Sequence, residues 1–212
     1  MAVLINTYPS LESGDHLTRD EFHRRYSRRP DIKKAELVEG VVYVASPVRV
    51  GAHGERHAAV MTWLGVYRAA TPDVRLADDV TVRLDARNEV QPDAILFREE
   101  PGGPRVTPDD YLEGAPQLVV EVAASSASYD LHDKKEAYRR NRVREYVVWR
   151  TLDGAIDWFR LDPGEGEYER IEPDDRGVIE SVVFPGLRLH VPKMLADDLA
   201  GVLAELQRSS DA

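Results

Sequence analysis

The sequence predicts a mixed α/β (α+β) fold, a β-sheet flanked by helices with an antiparallel β extension and a C-terminal helix, and three observations carry that expectation. Two runs, PDAILF at 92–97 and QLVVEVAA at 117–124, are apolar nearly throughout, as strands covered on both faces are. Between residues 54 and 69 the apolar side chains recur at helical spacing. From 151 onward the pattern changes to short runs broken by turn residues. With 212 residues, 42% of them hydrophobic and 31% charged, the chain is expected to form one domain over 1–212, with a core at about 18–150 and the extension and terminal helix at about 151–207.

Taken in order, the first element is a helix from Thr18 to about Ser27. Thr18 can cap it, Glu21 can return the bond, and Leu17 and Phe22 occupy the staple positions. After Pro30, AELVEGVVYVA reads as strands at 35–38 and 41–45 joined by the two-residue turn Glu39-Gly40. In the helix from about Gly54 to Ala69, Ala58, Met61, Trp63, Leu64, Val66 and Tyr67 give the packed face, and Thr71-Pro72 ends it. Val80, Val82 and Leu84 alternate with polar residues, the period of a half-buried strand, before a turn at Asp85 to Asn88. Residues 99–116, rich in Gly and Pro, are expected to form a surface loop or lid between the two apolar strands. A helix at about 130–141 and a strand at 145–150 follow. AIDWFRL, YERI and VIESVVFPGLRLHV read as short antiparallel strands, and Pro192 opens a helix to about Leu206.

Composition narrows the function. The absence of cysteine removes disulfides, thiolate nucleophiles and cysteine zinc sites, so a metal would sit on oxygen or imidazole. No apolar stretch has the roughly 18 residues of a membrane span, and the opening residues lack the pattern of a signal peptide, which together predict a cytoplasmic protein without a membrane partner. The net charge of −10 argues against non-specific coating of nucleic acid but leaves room for a local basic cleft. Basic residues do cluster, at Arg24, Arg25, Arg28, Arg29, Lys33 and Lys34 and again from Lys134 to Arg144, where acids of 162–180 could neutralise them. There is no phosphate loop, dinucleotide fingerprint or serine-hydrolase elbow.

Asp93 and Glu121 stand inside the two apolar runs, where a carboxylate is costly unless paired, protonated or on a metal. Adjacent strands would bring both to one sheet edge as a hard-cation site. The plainer alternative makes Asp93 a turn residue and Glu121 a strand residue with an ordinary cationic partner. Asp130 and Lys134, four apart with the acid first, suit an ordinary surface ion pair. His53 and His57 are also four apart, but HGERH lacks the order of a zinc-protease helix.

The ordered set Pro92-Asp93, Glu121-Val122, Asp130-x-x-x-Lys134-x-x-x-Tyr138 and Glu145-Tyr146 resembles the putative restriction endonuclease family of the PD-(D/E)XK nuclease superfamily. The resemblance takes in Glu36-Leu-Val-Glu-Gly40 and His57 and covers about residues 18–190. It implies a restriction-endonuclease-like core and a metal-dependent endonuclease hydrolysing DNA, with Asp93 and Glu121 as catalytic residues binding magnesium or manganese. Two positions depart from the pattern: Ala123 stands where the superfamily has lysine, and Ala124-Ser125-Ser126 replaces the usual Ser-Pro-Ser. By the same resemblance the lysine comes from the next helix, and the spacings to Asp130, Tyr138 and Tyr146 select Lys134 over Lys135 as the third catalytic residue. Glu36, His57, Asp130 and Tyr138 are the further residues of the expected cleft. Two cuts on a duplex would suit a homodimer. The competing readings are a catalytically inactive nucleic-acid-binding or regulatory protein on the same fold, and a structural protein whose acids are satisfied by neighbouring side chains.

Overall fold

The computed structural model describes residues 10–45 and 49–208; the opening residues read for a signal peptide lie mostly outside them. Helix α1 (Arg19–Tyr26) starts where expected, with the Thr18 hydroxyl accepting from the Glu21 N–H. The reciprocal half of that cap does not form, because the Glu21 carboxylate is drawn to Arg24 and Arg25 on its own helix face. Strands β1 (Ala35–Val38) and β2 (Val41–Val44) make the predicted hairpin. Glu39 and Gly40 both take positive φ, 51° and 79°, the twist that a two-residue hairpin turn requires.

A π-helical turn, Val50–Gly54, leads into α2 (Glu55–Ala70). Its buried face is Ala59, Val60, Trp63, Leu64 and Tyr67, so the stripe lies slightly to one side of the expected one and Ala58 is exposed. Then come β3 (Arg75–Ala77), β4 (Val82–Asp85), β5 (Asn88–Val90), β6 (Ala94–Phe97), β7 (Arg105–Val106), β8 (Leu112–Glu113) and β9 (Leu118–Ala123). The stretch expected as a plain surface loop therefore holds two short strands, which Gly and Pro residues had hidden. A helical passage follows, made of α3 (Ala127–Tyr129), a second π-helical turn at Asp130–Lys134 and α4 (Lys135–Arg140). The chain ends with β10 (Glu145–Arg150), β11 (Ala155–Leu161), β12 (Tyr168–Ile171), β13 (Val178–Glu180), β14 (Arg188–His190), α5 (Val191–Leu195) and α6 (Leu199–Leu206).

The predicted fold class holds, with a second sheet that the sequence did not disclose. The central sheet runs β12-β11-β10-β9-β6-β3, with β9 and β10 parallel and its other pairs antiparallel. The other six-stranded sheet runs β2-β1-β5-β4-β8-β7, and β13 pairs with β14 alone. The expected β extension is partly a continuation of the central sheet, since β11 and β12 add directly to β10. The single terminal helix is instead two: Asp197 at φ 62° breaks it, and the Asp198 carboxylate caps α6 by accepting from the Gly201 N–H.

Alternation along β9 sorts the core. Val120 and Val122 face α2, where they pack with Trp63, Leu64, Trp149 and Trp158. Val119 and Ala123 face the other way, toward Ile95, Tyr138, Tyr146 and Phe159. Glu121 shares that second face by its parity. Glu145, fully buried at the start of β10, ties the chain beyond β13 to the sheet: its carboxylate accepts from Ser181 Oγ at 2.6 Å, Val182 N–H at 2.7 Å and Val183 N–H at 3.3 Å. Glu145→Ala strands those donors and is expected to cost about 3 kcal/mol in urea unfolding; a loss below about 1 kcal/mol would show that water replaces the carboxylate.

Candidate active site

The register Ala94↔Val120 continues to place Asp93 opposite Glu121 across β6 and β9. Both acids are buried, and both line a cavity of about 530 Å³ with Lys34, Glu36, His53, Tyr129, Asp130 and Lys134. Of the sequence-predicted residues, Asp93, Glu121, Lys134, Glu36 and Asp130 thus meet at one place. Tyr138 and His57 stand behind the wall: the Tyr138 hydroxyl donates to Glu121 Oε1 at 2.8 Å, and His57 Nε2 bonds the Asp93 carbonyl oxygen at 2.8 Å.

Each acid has its own partners. Asp93 Oδ2 accepts from the Val122 N–H at 2.7 Å, while Oδ1 lies 3.2 Å from Lys34 Nζ and 3.3 Å from His53 Nε2. Burial would raise its carboxyl, but the His53 bond and the Lys34 charge hold it well below the usual carboxylate range. Lys134 Nζ reaches Glu36 Oε1 at 2.9 Å, Glu121 Oε1 at 2.6 Å and Asp130 Oδ1 at 3.9 Å, and its side chain is 2% exposed. The Asp130–Lys134 pair is therefore buried rather than the surface pair its spacing also allowed. Burial works against the Lys134 charge, yet the carboxylates of Glu121, Glu36 and Asp130 outweigh it and raise its pKa well above the ordinary value. Glu36 also accepts from the Gln91 N–H at 2.7 Å, which fixes β1 against the centre.

Glu121 is the strained acid. Burial, with the like charges of Asp93, Asp130 and Glu36, pushes it up to about 8 from 4.5 in spite of Lys134. A carboxyl raised in the folded state gives its full contribution to stability below the unfolded value and loses it as pH rises toward the folded one. The metal-free protein is accordingly expected to lose stability between about pH 5 and 8, and Glu121→Gln to flatten that dependence. Thermal melts that run parallel in the two proteins would sink this.

The donor set is of the oxygen type that a hard divalent cation takes: four carboxyl groups, Asp93, Glu121, Glu36 and Asp130, line the cavity with two ammonium groups, and burial keeps the proton on Glu121 to near-neutral pH in spite of Lys134. At the flank, ligand atoms of His57, Asp78 and Asp79 lie within 4.8 Å of one another, a trio of described residues that the sequence did not single out. Both acids of that trio are exposed, and Asp79 is engaged by Lys34 at 2.8 Å. Lys34, Asp79 and Arg49 carry no pattern of their own in the sequence; Lys34 is one more cation in a basic run, recognisable only from its place just before a buried strand.

The basic clusters are largely neutralised. Arg24 and Arg25 pair with Glu21, Arg29 with Asp31, Arg139 with Glu136 and Glu167, Arg140 with Glu39 and Arg144 with Glu100. Among the described residues no helix is long and apolar enough to cross a membrane.

The crystal structure of a putative nuclease belonging to DUF820 from Anabaena variabilis ATCC 29413 has the same fold, with a TM-score of 0.62 at 11% sequence identity over 82% of this chain and 96% of that one. No curated protein matches in sequence. Residues 19–192 match the Uma2 family, described as putative restriction endonuclease. That span takes in α1, both six-stranded sheets and all the acids of the cavity, so the chain belongs to the Uma2 family of putative restriction endonucleases.

Proposed function

We propose that the protein is a metal-dependent endonuclease that hydrolyses phosphodiester bonds in DNA, acting in the cytoplasm with magnesium or manganese held by Asp93 and Glu121. The observation that carries this reading is the pair of buried acids opposite each other on neighbouring strands, opening on one cavity with a third and fourth carboxylate beside them. A bound divalent cation would supply charge neutralisation at the phosphate and a lowered pKa for a water.

The protein's own residues do the rest. The Val122 N–H fixes one oxygen of Asp93 and leaves the other toward Lys34 and His53. Tyr138 and Lys134 orient Glu121, and Lys134 ties it to Glu36 across the two sheets. Lys134 acts on the carboxylates as a positioning residue. A two-fold homodimer would offer one such centre to each strand of a duplex.

Manganese titration by calorimetry tests the proposal, with nicking of a supercoiled plasmid in manganese as the second readout. Binding with nicking supports it. DNA binding without manganese binding would favour the inactive nucleic-acid-binding reading, to which Ala123 lends support.

A further inference from the structure

The centre holds two lysines, and they are not equivalent. Lys134 is 2% exposed and its ammonium is surrounded: Glu36 takes it through both oxygens, at 2.9 and 3.2 Å, and Glu121 lies at 2.6 Å. An ammonium has three N–H donors, and these contacts use them. To reach a phosphate, Lys134 would have to abandon buried carboxylates that have no other cation so close, which is costly in a dry interior.

Lys34 has the opposite setting. Its side chain is 26% exposed on the lining of the same cavity, and its Nζ bonds Asp93 Oδ1 at 3.2 Å and Asp79 Oδ1 at 2.8 Å. That leaves one donor over, on a flexible stem, beside the acid read as a metal ligand. Both partners keep other contacts without it: Asp93 has His53 and the Val122 N–H, and Asp79 is half exposed to water. On the same lining Arg49 is exposed and makes no ion pair with any described residue. Lys34 is the residue just before β1 and does not come from β9, where the superfamily pattern would place the lysine and where Ala123 stands.

We infer that Lys34, with Arg49 as a second contact, is the cation that meets the scissile phosphate of the substrate, while Lys134 serves the carboxylates. A compact ammonium suits a phosphate oxygen as a point charge. Lys34 moves no proton in this role; it offsets negative charge where the phosphate enters an acidic centre that would otherwise repel it. The inference rests on the nuclease reading.

The test measures anisotropy of a fluorescein-labelled DNA duplex in saturating calcium, scored on a gel for intact probe, for wild type, Lys34→Met, Lys34→Arg and Arg49→Gln, alongside manganese calorimetry on each. Lys34→Met is expected to weaken DNA binding about five- to tenfold and to lower the slope of log affinity against log salt by about 0.9, the signature of one lost phosphate contact. Arg49→Gln should lower the same slope, and Lys34→Arg should restore most of the loss. Manganese affinity should stay unchanged or tighten in Lys34→Met, because a competing cation has left Asp93. A Lys34→Met protein that binds DNA as wild type does, or that loses DNA and manganese together, overturns the assignment, the second outcome assigning Lys34 to the support of Asp93. A wild type that binds manganese but not DNA also overturns it. A wild type that binds neither overturns the nuclease reading and takes this inference with it.

Discussion

Asp93→Asn is expected to weaken manganese binding at least about 100-fold and to abolish manganese-dependent nicking, with the circular dichroism spectrum unchanged. The fold should survive because the asparagine oxygen can still accept the Val122 N–H, and the bond from His57 goes to the backbone carbonyl. What is lost is charge. With Asp93 gone, only Glu121, Glu36 and Asp130 face Lys34 and Lys134, so both a ligand oxygen and part of the negative charge that would attract a divalent ion are lost. Removing only an outer partner of a metal ligand costs about 10- to 100-fold in affinity, so a direct ligand should cost at least the upper figure, about 2.8 kcal/mol. Should Asp93→Asn bind manganese like wild type, Asp93 is not a ligand. The trio His57, Asp78 and Asp79 would then be examined next, and Asp79→Asn, otherwise expected to bind like wild type, is the variant that would expose it.

The acids of the site were legible because burial makes them conspicuous. A single carboxylate just before AILF or inside LVVEVA interrupts an apolar run, and the two strands beside them are hydrophobic on both faces, which fixes them near the middle of a sheet. Side-chain parity then needs nothing but the register to put Asp93 and Glu121 on one face. The second sheet was legible only in part: β1, β2 and β4 were expected as strands, but their assembly with β5, β7 and β8 into one sheet was not, for the converse reason. Its strands are two to four residues long, and β5, NEV, and β8, LE, have too few residues for a period of two to show. Their pairing is decided by neighbours distant in sequence, as where Leu37 meets Glu89. The break between α5 and α6 could have been read from Asp198, three residues before the N–H it caps, but the apolar stripe on either side of it suggested one continuous helix. The sequence named Lys34 only as one of a basic run, since what distinguishes it from Lys33 is the side chain that reaches Asp93 and Asp79.

The second large effect concerns stability rather than chemistry. Lys134→Met keeps much of the side-chain length and removes the charge, which leaves Glu36 and Glu121 facing each other in a buried centre without their shared cation. Removing one partner of a buried ion pair costs about 3–5 kcal/mol, because the remaining charge cannot return to water. Here two carboxylates are left, but Glu121, already raised to about 8, can take up a proton and limit the damage. We therefore expect about 3 kcal/mol in urea unfolding at neutral pH, or a fall in Tm of about 10 °C for a chain of this size. The loss should grow as pH rises past about 8 and Glu121 ionises beside Glu36 without a cation. The double variant Lys134→Met/Glu121→Gln should recover about half of it, since an amide needs no countercharge and can still accept the Tyr138 hydroxyl. A loss below about 1 kcal/mol, with no recovery in the double variant, would mean that the ammonium is not committed to these acids. In that case Lys134 is available to the phosphate after all, and the lysine of the next helix, rather than the one before β1, is the cation of the reaction.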